Sequence, residues 1–174
     1  DTTVGNQANL ATEGYDIQLE WSVPIGPGQL TVNELYSILE AFTFTGASGI
    51  PNELAGGTSA FIGGALPEYK SVLSVSYNVG DWTIFGRWSY VPEMFANGIC
   101  ATYAFCDDTP EASYFDASVR WNVTDAFTLT AVVDNIFDEY PPQTAEGTFS
   151  QANTDPQTYR VLGRSFAVSG RYRF

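Results

Sequence analysis

Tyr114-Phe115-Asp116-Ala117-Ser118-Val119-Arg120-Trp121-Asn122-Val123-Thr124-Asp125, continued by Ala126-Phe127-Thr128-Leu129-Thr130-Ala131, is the stretch that decides the fold. Phe115, Ala117, Val119, Trp121 and Val123 occupy one parity, while Asp116, Ser118, Arg120 and Asn122 occupy the other. Side chains of a strand alternate between two faces, so this period of two describes a strand with one apolar and one polar side. Val123-Thr124-Asp125-Ala126 has turn chemistry, and beyond it Phe127, Leu129, Ala131 and Val133 resume the apolar parity against Thr128, Thr130 and Asp134. The unit is a hairpin with one greasy face.

The same pattern recurs outward in both directions. Strands are expected over 13 to 24, 29 to 46, 67 to 79, 81 to 92, 112 to 124, 126 to 138 and 158 to 174. Apolar faces read Tyr15, Ile17, Leu19, Trp21, Val23; Leu73, Val75, Tyr77, Val79; Trp82, Ile84, Gly86, Trp88, Tyr90; and Phe166, Val168, Gly170, Tyr172, Phe174. The charges Asp16, Glu20, Arg87, Asp116, Arg120, Asp134, Arg171 and Arg173 all keep to the opposite side. Connections alternate strictly. Pro24 to Gly28, Val79-Gly80-Asp81 and Val123 to Ala126 are tight, whereas 47 to 66, 93 to 111 and 139 to 157 are long and rich in Gly, Pro, Asn, Asp and Thr. All tight turns therefore lie at one end of the sheet and all long loops at the other.

An apolar face of this extent needs cover, and no second layer is visible in the chain. The expectation is an all-β, antiparallel transmembrane β-barrel wall, apolar toward lipid and polar toward the lumen, with short periplasmic turns and long extracellular loops. Trp21, Trp82, Trp121, Phe127 and Phe174 fall near the turn end; Tyr15, Tyr69, Tyr90, Tyr114, Phe137 and Tyr159 fall near the loop end, as two interface girdles would. The second strand breaks parity. Glu34 and Glu40 would face lipid unless the phase shifts, so a β-bulge is expected near Asn33 and Glu34, turning both acids to the lumen. Seven strands leave two open edges, whose unpaired backbone groups are costly in hydrocarbon, so further strands are needed to complete the sheet.

Composition narrows the chemistry. Seven basic against twenty acidic side chains give a net charge of −13, which leaves no footprint for a nucleic-acid backbone. The chain has no histidine and two cysteines, so histidine-bearing metal sites and His-activated nucleophiles are absent, and neither an enzyme nor a bound cofactor is expected. Cys100 and Cys106 lie in one long loop and are expected to close a disulfide in an oxidising exterior. Phe95, Tyr103, Phe105, Asp107 and Asp108 in that loop form a possible ligand surface, able to stack on a sugar or catecholate or simply to pack the loop on itself. Loop acids can also meet lipopolysaccharide through divalent ions.

These residues resemble a known family. The run from Tyr114 to Asp125, then Val133-Asp134-Asn135-Ile136-Phe137-Asp138, Asn153 to Tyr159, Leu162-Gly163-Arg164-Ser165-Phe166 and the terminal Phe174 resemble the C-terminal third of the TonB-dependent outer-membrane receptors. The resemblance implies that residues 1–174 are the last seven strands of a 22-stranded barrel occluded by a plug that lies outside this sequence. It further implies a bacterial outer-membrane location and a nutrient receptor for a ferric siderophore, a cobalamin or an oligosaccharide. The expected partners are the rest of the barrel, the plug, the TonB complex and the barrel-assembly machinery. Phe166, Val168, Gly170, Tyr172 and Phe174 would be the assembly signal, and the eight lumen charges would face the plug. Asp1 opens the chain without Met or a leader-like segment, which reads as the back part of a longer protein. A second expectation is a released fragment that self-assembles through its open edges into an oligomer or filament.

Overall fold

The computed structural model describes residues 8–59, 64–97, 108–143 and 154–174. All seven expected strands are present: β1 (Asn9–Ile25), β2 (Gly28–Thr45), β6 (Tyr69–Val79), β7 (Trp82–Val91), β9 (Ala112–Thr124), β10 (Phe127–Asp134) and β11 (Ser165–Tyr172). They pair in that order, each antiparallel to the next. The long connections carry short strands of their own, β3 (Pro51–Glu53), β4 (Gly57–Ser59), β5 (Gly64–Leu66) and β8 (Phe95–Asn97). β3 adds to β2, and β5-β4-β8 form a small separate sheet in which β4 and β8 run parallel. No helix occurs among the described residues.

Tight turns at 26–27, 80–81 and 125–126 share one end of the sheet and the long connections share the other. Gly26 (φ 57°) and Gly80 (φ 53°) supply the left-handed backbone that two of the turns require. The third has no glycine; the Thr124 hydroxyl instead accepts hydrogen bonds from the Ala126 and Phe127 amides at 3.3 and 3.0 Å.

Cross-strand register fixes the faces. Leu19, Glu34, Leu73, Trp88 and Phe115 form one outward row, and Glu20, Asn33, Ser74, Arg87 and Asp116 form the inward row beside it. The phase shift expected near Asn33 and Glu34 is elsewhere. It falls at Glu40, the extra residue opposite the Glu13–Gly14 step, so that Gly14 pairs with Leu39 and Glu13 with Ala41. Gly14 permits the close approach there, because any Cβ would strike the Ile38 carbonyl oxygen. Glu34 consequently stays outward, where the Ser71 hydroxyl donates to its carboxylate at 2.6 Å. One hydrogen bond and the milder cost of an acid compared with a base on such a face make this arrangement tolerable.

Two expected strands are shorter than their apolar parity suggested. β10 ends at Asp134 because Asn135 (φ 52°) and Asp138 (φ 58°) turn the chain left-handed. The last strand starts at Ser165 rather than 158, since Asp155 organises a turn with its side chain on the Gln157 amide (2.9 Å) and its carbonyl on those of Thr158 and Tyr159.

Aromatic rings form a continuous outward chain near the loop end. Tyr36, Tyr69, Tyr90, Trp88, Phe115 and Phe137 follow one another at centroid distances of 5.2, 6.0, 5.6, 6.4 and 5.2 Å. Trp82 stacks on Trp121 at 4.9 Å near the turn end. Tyr114 and Tyr159 do not belong to the girdle, being 2% and 3% exposed on the inner side beneath the loops. Tyr114 shares Asp116's parity, and Tyr159 is carried by the inward-folded segment before β11.

Candidate functional site at the loop end

The wall itself has almost no buried side chains, and the buried apolar cluster lies instead under the loops. Val91, Met94, Ala112, Tyr114 and Tyr159 form it, with Ala65 packed against it. Val91 and Ala112 are cross-strand partners at the inner loop end of β7 and β9, and Met94 and Thr109 exchange backbone hydrogen bonds just beyond them. The loops thus fold back over the inner mouth of the wall.

Asp116 is the polar centre of this region. Its carboxylate is almost inaccessible and receives Arg87 Nε at 2.8 Å, Arg160 through both terminal nitrogens at 2.5 and 2.8 Å, and the Asn135 amide at 2.9 Å. A bidentate guanidinium, a second guanidinium and a backbone amide leave no oxygen of the acid unsatisfied. Arg160 also lies over the Tyr114 ring, 5.3 Å from its centroid. Asn135 clasps the backbone of Glu139 in both directions at 2.9 Å, while Asp138 receives the Arg164 amide at 2.7 Å. The segment before β11 is therefore stitched to β9 through Arg160 and to the turn after β10 through Arg164. A cavity of about 560 Å³ remains between it and the inner face, lined in part by Arg87, Asn135 and Tyr159.

The hydroxyls of Tyr114, Tyr159 and Thr154 are buried without a hydrogen-bond partner among the described residues. Burial, followed by the nearby Tyr114 and Asp155, pushes the Tyr159 phenol up from its ordinary value, so it is neutral and a donor at physiological pH. Asp155 also accepts the Ala65 amide at 3.0 Å, tying the segment to β5. On the outermost edge Glu53 accepts the amides of Phe42, Ala55 and Leu54 and the Thr43 hydroxyl. Those donors, Phe42 first and Ala55 next, hold its carboxyl below the usual value.

Of the eight charges expected on the polar face, Asp16, Glu20, Arg87, Asp116, Arg120, Asp134 and Arg171 share the inward rows, and Arg173 follows β11 with its amide on the Ala126 carbonyl at 2.9 Å. Arg87 and Asp116 come together; the others are spread along the face. Arg160 escaped sequence reasoning, because it sits 44 positions from Asp116 in a stretch assigned to a strand; its only local signal is the acid and aromatic density around it. Phe95 lies on β8, and the Asp108 carboxylate accepts the amide of its neighbour Ala96 at 3.1 Å. Cys100, Tyr103, Phe105, Cys106 and Asp107 lie outside the described residues. No cluster of three or more potential metal ligands occurs among the described residues.

Phe166, Val168, Gly170 and Tyr172, the residues expected to carry an assembly signal, form the outward parity of β11, which pairs with β10 on one side. Phe174 follows, fully exposed and edge-on to Tyr172 at 5.2 Å.

Comparison with known proteins completes the description. No curated protein sequence matches the chain. Among solved structures, one similar fold is titled "Copper transporter OprC", at 18% identity and a TM-score of 0.48 over 98% of this chain. The chain spans 29% of the length of that protein. The family model described as "TonB dependent receptor-like, beta-barrel" matches residues 1–136. With most of its length matched and its strands, tight turns and long connections arranged as a barrel wall, the chain belongs to the TonB-dependent receptor family, within the β-barrel part.

Proposed function

We propose that this chain is the C-terminal wall and outer mouth of an outer-membrane receptor that imports a scarce, bulky nutrient with energy delivered by TonB. The family match over residues 1–136 supports this reading most directly. The separation of tight turns from long connections supports the orientation, turns to the periplasm and loops to the exterior. Residues 1–174 form the last seven strands, and preceding strands pair with the free edge of β1 and close on β11. The inward charges Asp16, Glu20, Arg120, Asp134, Arg171 and Arg173 meet the plug, while Arg87 and Asp116 serve to pin the inward-folded loop. Phe166 to Phe174 act as the signal for the barrel-assembly machinery.

The mouth suits a hydroxyl-rich or catecholate nutrient such as a siderophore, with an oligosaccharide or cobalamin as the other candidates. Phe95, exposed on β8, offers a ring for stacking there, and Tyr103, Phe105, Asp107 and Asp108 of the same connection belong to the ligand surface in this proposal. A disulfide between Cys100 and Cys106 would stiffen that loop, and its acids would bind lipopolysaccharide through divalent ions.

Growth on limiting iron, cobalamin or oligosaccharide, compared with and without the gene and with and without TonB, tests the proposal. Loss of growth on one nutrient in both deletions is expected; uptake indifferent to TonB would replace it with a passive channel. A second reading, self-assembly of a released fragment, is favoured by the exposed β1 and β11 edges. Particle size of the isolated chain in detergent distinguishes it.

A further inference from the structure

The outward face carries a groove that the transport reading leaves unused. It lies directly beneath the aromatic chain, with Gly86 and Ala117 as floor and Leu73, Trp88, Phe115 and Phe137 as walls. Its volume is about 330 Å³ and its accessible lining is wholly apolar. The floor is low because Gly86 and Ala117, cross-strand partners, put almost no side chain between bulky neighbours.

One polar feature adjoins this groove. Leu73 stands directly across from Glu34, whose carboxylate accepts only the Ser71 hydroxyl at 2.6 Å among its described hydrogen bonds. Tyr36, two residues on along the same face, belongs to the aromatic chain, so Glu34 lies just on the membrane side of the interface. Among the described strand residues from Tyr15 to the turns, Glu34 is the one charged side chain on this face. Among the described residues no cation faces it: Lys70, Arg87, Arg120 and Arg171 are in inward rows, and Arg160, Arg164 and Arg173 lie at the β9 to β11 side of the wall. A carboxylate with spare lone pairs at the edge of hydrocarbon calls for a donor brought by its surroundings.

We propose that this groove seats one acyl chain of a membrane lipid, and that Glu34 with Ser71 takes a hydrogen-bond donor at the root of that chain, an amide or a hydroxyl. The two features demand the two halves of such a molecule at once. A chain without a donor fills the groove and leaves Glu34 with the Ser71 hydroxyl alone. The donor must sit near the chain root, because Glu34 is beneath the aromatic belt and out of reach of a distal headgroup. The site rests on the membrane-spanning reading of the wall, and the test separates the two.

Trp88 forms one wall of the groove and reports its occupant. The purified full protein is reconstituted in phosphatidylglycerol vesicles doped with a brominated lipid whose acyl chain is amide-linked and hydroxylated, or with its ester-linked, unhydroxylated counterpart. Quenching belonging to Trp88 is taken as the difference from Trp88→Phe. The amide lipid is expected to half-saturate this quenching at about tenfold lower mole fraction than the ester lipid. Gly86→Leu, which fills the floor, should abolish the saturable part, and Glu34→Ala should erase the preference while leaving ester-lipid quenching intact. Equal quenching by both lipids, unchanged in Gly86→Leu and Glu34→Ala, would overturn the site and leave the wall in ordinary lipid. Absence of quenching by either lipid would overturn the membrane-spanning reading itself. Protection of Trp88 in native membranes that vanishes on reconstitution would assign the groove to a protein instead.

Discussion

The turn end and the loop end of this chain are held together by different means. At the turn end no described side chain is buried, and the strands are joined by backbone ladders, two glycine turns, the Thr124 turn and surface contacts such as the Trp82–Trp121 stack and the Tyr77 hydroxyl on the Ile25 carbonyl. At the loop end, Met94, Tyr114 and Tyr159 are buried by other parts of the same chain, and Asp116 gathers groups from β7, the turn after β10 and the segment before β11. The difference teaches where the missing surroundings lie. A wall whose apolar side meets lipid needs no buried core of its own, so buried side-chain contacts concentrate where the chain enters water.

Asp116→Ala should have the largest effect. It leaves two guanidinium groups without their acid and is expected to cost about 3–5 kcal/mol at the loop end. Thermal unfolding read at the loops, together with protease sensitivity of 154–164, checks it; a loss confined to the turn end would contradict the division. Next comes the faces of the wall. Ile84→Arg places a cation on the outward face and should cost about 2–4 kcal/mol in bilayers, whereas Ser76→Arg, on the inward face, should be tolerated. Refolding titrations in lipid vesicles measure both, and equal effects would erase the distinction between faces. Met94→Ala opens a cavity in the loop cluster and should cost about 2 kcal/mol, again lost from the cap rather than the wall.

The smallest effect is on pH. The Glu53 carboxyl is held below its ordinary value of 4.5 by the Phe42 and Ala55 amides. Because its folded pKa is depressed, its stabilisation is complete above the unfolded pKa and disappears as pH falls through the folded one. Hydrogen exchange at the Phe42 and Ala55 amides should therefore quicken, relative to intrinsic rates, only as pH falls below the ordinary carboxylate value of 4.5. Glu53→Gln should flatten that dependence, and a pH dependence surviving the change would remove Glu53 as its cause.

Sequence alternation foretold the seven strands, their pairing order and the opposite placement of turns and loops, and it placed Arg87 and Asp116 on one face. It misplaced the bulge, because Leu30, Val32, Leu35 and Leu39 leave both parities of β2 apolar and the deciding contact is Gly14 against Ile38 on another strand. It extended the last strand to 158, because the apolar residues Tyr159, Val161 and Leu162 resemble strand residues until Arg160 is seen paired with Asp116.

By itself, then, the sequence determined what depends on near neighbours: period-two faces, turn chemistry, and an acidic, histidine-free composition. Only the tertiary structure decided what depends on partners far along the chain. It set Glu34 outward beside Ser71, withdrew Tyr114 and Tyr159 from the girdle, and assembled the Asp116 centre from partners up to 44 positions from Asp116. Strand periodicity is written in every pair of adjacent residues, whereas an ion pair or a bulge is settled by which distant backbone arrives opposite it.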